Sequence, residues 1–555
     1  TLCPASIPQA DRAGIMAHFA GAGTVVALDG AATAEGKKTA WTGIAGTFRF
    51  NDAGNWSNGV PAENDEVSIA VTGETTIDND ISGLVLKSLA FEGTGSVILT
   101  GEALSVKASI TSGSESTDAT AVTNIIDVAV SFVETMTVNV LGSKRQLVFN
   151  QPVDNGGYPM VRGGNGIVRF MGDVTGDGDV TLDYDRALNY QAHTYVYGAT
   201  SALGGTGSRL VIVGKNDSNN TTALCGAFLH LCGATLKNGT MYFDGYEMRP
   251  GSGVRFYYLL TEKSSPRENV VEGSISLSDA TGTLFVMTPQ GLRTVLSGGG
   301  TVGSLRNVGQ FETNPYWTAT AGSLELSGLP WTISADFNSV SDNGGVCDLK
   351  LATTITGLKN LSWYKSKIEF VTDWAFGGTD SLTVQVPTLK ARYSSSTYYY
   401  DGGTVKLNGT KQRIGGSDAQ VNATASFTGT EGSELHWKQT TGNITVAAAF
   451  NGQVTLVKEG SSKVTLTGTT STSTGALKVT DGILSLASKD AWTDGAAVEI
   501  SGDGKLDLNF VGKKKMATLC IDGQMKNGVW GAIGSGAPNE TAAITGAGFL
   551  QAGKL

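Results

Sequence analysis

The residues best suited to chemistry in this chain are the aspartates of GDVTGDGDVTLDYD, residues 172–185. Five carboxylates crowd around a central glycine, and hard cations such as calcium draw oxygen ligands from loops of this kind. Asp173, Thr175, Asp177, Gly178, Asp179, Val180 and Thr181 fall on the first nine places of a helix–loop–helix calcium loop. The closing place, where a bidentate carboxylate belongs, holds Tyr184. The flanks disagree as well, because NGIVRF (165–170) and HTYVYG (193–198) alternate like strands. EISGDGKLDLNF (499–510) repeats strand, Gly-Asp-Gly, strand with no calcium pattern. A turn between two strands is the expectation; calcium at Asp173, Asp177 and Asp179 is the alternative, and no other cofactor is expected.

Other reactive residues are sparse. The chain has no G-x-S-x-G elbow. Its four histidines, His18, His193, His230 and His436, lie far apart in sequence, so nothing proposes a triad. Five cysteines form no zinc spacing. Cys225 and Cys232, within LCGAFLHLCGA, read either as a disulfide or as two small buried side chains. NLSWYKSKIEF (360–370) and LKARYSSSTYYYDGG (389–403) set aromatic beside basic residues, a combination that lines sugar grooves or forms an outward ladder guarded by lysines.

What must position these groups follows from composition and periodicity. Among 555 residues 75 are glycine, without a G-X-Y period, and 40% are apolar, which points to an ordered, turn-rich chain. A formal charge of −10 and a single lysine run, VGKKKMA (511–517), argue against nucleic acid as a partner. No apolar run is long enough for a membrane helix, so no transmembrane segment is expected.

Residues 11–23 are Ala-rich and suggest a short helix or end cap within an N-terminal segment 1–40, a cap or assembly arm. From Trp41 onward short runs such as EVSIAV, RLVIVG, TVKLNG and KLDLNF are apolar at every second position and close on Gly, Asn or Asp. Period-two alternation with turn residues at the ends specifies strands. No linker interrupts the pattern, so the expected fold is all-β: a parallel β-helix or β-solenoid, elongated, with a short N-terminal cap segment. At about 20–25 residues per rung and ~4.8 Å between strands, the rod would be on the order of 100 Å long. The body is assigned to 41–450 and the closing rungs to 451–555.

Residues 456–486, LVKEGSSKVTLTGTTSTSTGALKVTDGILSL, resemble the autotransporter-associated β-strand repeat of large secreted or surface bacterial proteins. Leu456, Lys458, Gly460, Leu466, Gly468, Thr474, Gly475, Val479, Gly482 and Leu484 carry the match, with Ser462 at one family glycine. The run from KLDLNF to ITGAGFLQAGKL resembles that family's closing unit, and WTGIAGTFRFNDAGNWSNGVPAENDEVSI (41–69) its entry into the first rungs. The resemblance implies a β-solenoid that is secreted or on the cell surface, and little about activity. The functional expectation is an extracellular, non-enzymatic surface structural protein, adhesin or self-assembling subunit of a filament or layer. Its partners would be copies of itself, end to end, or surface glycans. A secreted carbohydrate-active β-helix, lyase, hydrolase or glycan-binding module, is the alternative.

Overall fold

The computed structural model describes residues 36–553 apart from internal stretches, the longest being 215–225, 309–321, 372–382 and 417–424. The helix expected at 11–23 lies outside the described residues, as does most of the 1–40 segment. What is described is a stack of short strands, with two single-turn 3-10 segments, Ala53–Asn55 and Lys489–Ala491, as its only helical pieces. Almost all pairing is parallel, each strand bonding to its counterparts in the coils before and after it. This is the β-solenoid that unbroken alternation predicts.

Two long sheets run side by side, one from Lys38–Ala40 to Ile355–Thr356 and the other from Thr75–Asn79 to Thr383–Gln385. A third begins at Thr200–Ser201 and ends at Ala449–Gly452. Two seven-stranded sheets starting at Lys411–Gly416 and Ile444–Val446 complete the chain. Thirteen strands in line span about 60 Å in the first sheet alone at ~4.8 Å per step.

Register explains the inside. In the first sheet Val67, Leu89, Ile110 and Val138 stack in one inward column, which continues through Leu182, Ile212, Phe243 and Leu277. Apart from Arg162, which stands between Val138 and Leu182, the column places apolar on apolar in successive coils, so period-two alternation in each strand becomes an apolar seam. One hydrophobic cluster extends from Trp41 to Ala552. The final rungs are regular: Leu435, Leu456, Leu477, Val498 and Leu519 are register partners in turn, each 21 residues after the last. The middle rungs depart from the expected 20–25. Leu182 to Ile212 is 30 residues, and Phe243 to Leu277 is 34. Added residues lengthen corners without disturbing the stack, because loop closure costs grow only slowly with length.

Both ends are finished by local structure. At the start, Trp56 meets Trp41 and Phe50 edge-on, with ring centroids 5.1 and 5.0 Å apart. Its indole N–H donates to the Phe50 carbonyl at 2.8 Å, giving this buried ring its polar partner. Phe48 and Phe50 bond to both backbone groups of Asp78 and so lie along the outer edge of Thr75–Asn79, the first strand of its sheet. At the other end Thr518–Ile521 turns back antiparallel onto Gln524–Lys526, and Gly528–Ala532 runs antiparallel to Ile544–Ala552. Asn539–Thr541 pairs beyond Gly528–Ala532 and forms the edge of that sheet, and it and Gln524–Lys526, both short and reversed, offer little template for a further parallel rung.

Candidate functional site

The aspartate stretch is a corner of the solenoid. Val174–Thr175 and Val180–Leu182 are strands, and residues 176–179 turn between them. The turn sits directly on the corner one coil earlier, and this dictates its glycines. A Cβ on Gly178 would lie 1.9 Å from the Tyr158 carbonyl oxygen, and one on Gly176, whose φ is +101°, 1.9 Å from Asn155 Oδ1. The carboxylates reach the opposite way. Asp173 Oδ1 accepts the backbone N–H of Thr200 at 3.0 Å, and Asp179 Oδ1 accepts that of Arg209 at 2.8 Å. Both donors belong to the next coil. The Asp177 side chain is exposed, and its backbone carbonyl accepts from Ser208 Oγ. Tyr184 is buried against Ala192 and Val213. Among the described residues no group of three or more His, Cys, Asp or Glu side chains is arranged to hold a metal. The echo at 502–504 joins coils with the roles exchanged: the turn's Gly502 N–H donates to Asp522 Oδ1 of the next coil at 3.2 Å.

An aspartate that accepts a backbone N–H from the next coil staples two coils together. Asp179→Ala is therefore expected to cost about 0.5–1 kcal/mol, the net worth of one hydrogen bond whose exposed N–H water can take over. Thermal melts of wild type with and without millimolar calcium should coincide, because two of the three candidate ligands are already used; a calcium-dependent rise in Tm that Asp177→Asn abolishes would contradict this.

Histidines distant in sequence meet in space. In the second sheet, Ile167–Phe170, Gln191–Val196 and Gly226–Leu231 are successive strands. His193 Nδ1 lies 2.9 Å from His230 Nε2, and His193 Nε2 lies 3.1 Å from Gln191 Oε1. Tyr195 stacks on His230 with centroids 4.2 Å apart, and the Arg169 guanidinium covers the other part of that array at 4.3 Å from the Tyr195 ring. Arg169 is itself held by Tyr197 Oη and Gln146 Oε1 at 2.9 and 3.0 Å. Burial, then the neighbouring His230, Arg162 and Arg169, push His193 down to about 3. It is a neutral imidazole at physiological pH. The pair is invisible to motif matching, because its spacing of 37 residues is one irregular coil plus two residues of register. His436 sits elsewhere, between Glu459 and Glu434 at 2.9 Å each. Glu434 feels a burial penalty but is held below the usual carboxylate range by His436 and Lys411.

The least expected groups are cations inside the core. Arg162 occupies the inward column between Val138 and Leu182 and is wholly buried. One guanidinium nitrogen donates to the carbonyls of Gly164 (3.1 Å) and Asp183 (3.4 Å), the other to those of Gly166 and His193, the latter at 3.2 Å. Burial draws its pKa down to about 9, with Asp183 opposing, so it remains a cation at neutral pH. Lys458 stands likewise between Trp437 and Val479, its ammonium donating to the carbonyls of Glu459, Gly460 and Asp481 at 2.8, 2.5 and 3.1 Å. Burial brings it down to about 8, opposed by Asp481 and Glu459. Lys514 donates to the carbonyls of Lys489 and Trp492, both at 2.6 Å, and to Asp494. In each case a cation spans turn carbonyls that the sheet ladder cannot satisfy.

Sequence reading marked Lys458 only as a motif position. Its structural task is to close one coil's corner against the next. Lys458→Met, which keeps the stem but removes all three donors, should lower stability by about 2 kcal/mol, since relief from burying a charge offsets part of the loss. Denaturant midpoints at pH 7 would measure it; an unchanged midpoint would show the carbonyls to be satisfied otherwise.

Cys225 lies outside the described residues, so the proposed pair with Cys232 does too; Cys232 itself is buried. The aromatic and basic side chains of 360–370 and 389–403 also lie outside them. No helix among the described residues is long and apolar enough to cross a membrane. Comparison of the chain with protein-family models, with curated proteins and with solved structures found no match in any of the three.

Proposed function

We propose that this chain is an extracellular, non-enzymatic β-solenoid, a rigid scaffold or adhesive stalk at a cell surface. The observation that carries the reading is the single hydrophobic cluster running from Trp41 to Ala552 beneath stacked coils. A continuous core transmits load along the stack, whereas beaded domains would yield at linkers. The titrating groups support the same reading. Asp173, Asp179, Arg162, Lys458 and Lys514 spend their polar atoms on backbone groups of the same or adjacent coils. The Arg169–Tyr195–His230 array uses its ring faces on itself, a stiffening device rather than an open sugar platform. The resemblance at 456–486 adds the surface location.

The reading is tested in two arms. Small-angle scattering should return a rod with a maximum dimension on the order of 100 Å, from about 4.8 Å per coil. Incubation with neutral and anionic polysaccharides should release neither reducing ends nor unsaturated products. Turnover of any of them would replace the scaffold with a carbohydrate-active enzyme. Binding without turnover would specify the adhesive form and name surface glycans as the partner.

A further inference from the structure

Lys37, Lys463 and Lys514 have carboxylates as their ionic partners. Lys107 has more. Its Nζ donates to Asn64 Oδ1 at 2.5 Å and lies 3.3 Å from Glu63 Oε1, so an amine, a carboxamide and a carboxylate converge at one point. An amine beside a carboxylate forms an ion pair. Beside a carboxamide a lysine amine is also a nucleophile, because the amide nitrogen has a way to leave, as ammonia.

Both partners are held by the fold. Lys107 stands at a β-bulge: Leu86 pairs with Val106 and Ser88 with Ser109, so Lys107 and Ala108 together oppose Lys87. Bulges re-aim side chains. This one sends Lys107 past the intervening strand Val85–Phe91 to the corner ahead of Glu66–Ile69. Asn64 sits in that corner at a φ of +69°, a conformation asparagine tolerates, and its N–H donates to the Val85 carbonyl at 2.9 Å. The next residue is fixed as well: the buried Asp65 carboxylate accepts the N–H groups of Lys37 and Ala62, each at 2.8 Å. The Lys107 side chain is 18% exposed and that of Glu63 67%. The lysine is therefore sheltered, and the open side of Glu63 gives a small product a route to solvent.

We propose that Lys107 and Asn64 join in an intramolecular isopeptide bond, made by the folded chain on itself. Glu63 accepts a proton from the Lys107 ammonium, and the freed lone pair attacks Asn64 Cγ. Glu63 then gives that proton to Nδ2 and takes one from Nζ as the Cγ–Nδ2 bond breaks. An Nζ–Cγ amide replaces the carboxamide, and ammonia leaves with the last proton as ammonium, restoring the carboxylate. No oxidant, reductant or second substrate is consumed, and the fixed geometry supplies the effective concentration. The bond ties the corner before Glu66–Ile69 to Leu104–Ser112 two rungs on, closing 43 residues. Such a link restricts the unfolded chain, so the first coils resist peeling as a unit. This goes beyond the scaffold reading and does not depend on it.

The test is the intact mass of the full chain, purified folded and held at neutral pH, followed by tryptic mapping. The wild type should be lighter than its sequence by one ammonia, with a branched peptide joining the Asn64 and Lys107 segments and no cleavage after Lys107. Succinimide formation at an Asn-Gly pair such as Asn58–Gly59 loses the same mass, so Lys107→Arg is the control and should keep full mass. Glu63→Gln, with strand content verified by circular dichroism, should form the bond about a hundredfold more slowly or worse. Folded wild type at full mass, equal loss from Lys107→Arg, or Glu63→Gln linking at the wild-type rate overturns the proposal. None of these touches the scaffold reading, and polysaccharide turnover, which would remove that reading, leaves the mass unchanged.

Discussion

Replacing Arg162 by Met should destabilise the coils around it by about 2–3 kcal/mol, because buried carbonyls lose a charged donor while relief from burying that charge offsets part of the loss. The substitution keeps the apolar stem and most of the volume, so the loss reports the guanidinium. That group donates to four carbonyls, those of Gly164 and Gly166 in its own coil and of Asp183 and His193 in the next. Without it, those oxygens face an apolar column between Val138 and Leu182. Arg162→Lys should recover only part of the difference, because an ammonium cannot reach both sides of the corner as a planar fork does. The stack is quasi-one-dimensional, so the damage stays near the site. Hydrogen exchange should rise in Met160–Gly164, Ile167–Phe170 and Gln191–Val196, while the regular rungs from Glu434–Gln439 onward keep their protection. Uniform loss along the whole chain, or none, would contradict this account of Arg162.

Acid should weaken the same region before it titrates the carboxylates. His193 is held at about 3 in the folded chain, by burial first and then by His230, Arg162 and Arg169, against an ordinary value of about 6.5 when unfolded. Between those limits the unfolded chain binds a proton that the folded chain refuses. Stability is therefore complete above about pH 6.5, declines as pH falls below it, and the decline ends near pH 3. Each pH unit costs about 1.4 kcal/mol at most, so the fall from pH 6.5 to 4.5 should be about 2–3 kcal/mol. Below that window other groups join: Glu66, held down by Lys87 and Lys38, and Asp507, whose burial is outweighed by Lys463, Ser485 and Thr545. His193→Phe keeps the ring packing against Phe228 and Tyr195 and should flatten the profile between pH 6.5 and 4.5. Denaturant unfolding across that range, for both proteins, is the measurement. A wild-type profile already flat there would place the His193–His230 contact in a solvated setting.

Much of this architecture was legible in the chain. Runs such as RLVIVG and KLDLNF announce strands because alternation is a local property, readable within six residues. The Gly-Asp-Gly turns at 176–178 and 502–504 were legible for the same reason, although the cause of the glycines was not. Gly178 is required by the Tyr158 carbonyl one coil away, and nothing local to residue 178 says so. The aspartates looked like ligands because their types and spacing suit calcium. What they accept, the N–H groups of Thr200 and Arg209, lies about 30 residues downstream.

The sequence by itself determined the strand pattern, the absence of linkers and the parallel solenoid they imply. Only the tertiary structure decided which residues stand on which. Coil length varies from 20 residues between Lys463 and Ile483 to 37 between Lys367 and Thr404, and each change in a corner resets the partners of every residue beyond it. That is why His193 and His230 meet, and why Arg162 falls in a column of valine and leucine. Alternation fixes whether a side chain points inward; the lengths of the intervening corners, which no periodicity records, fix its neighbours.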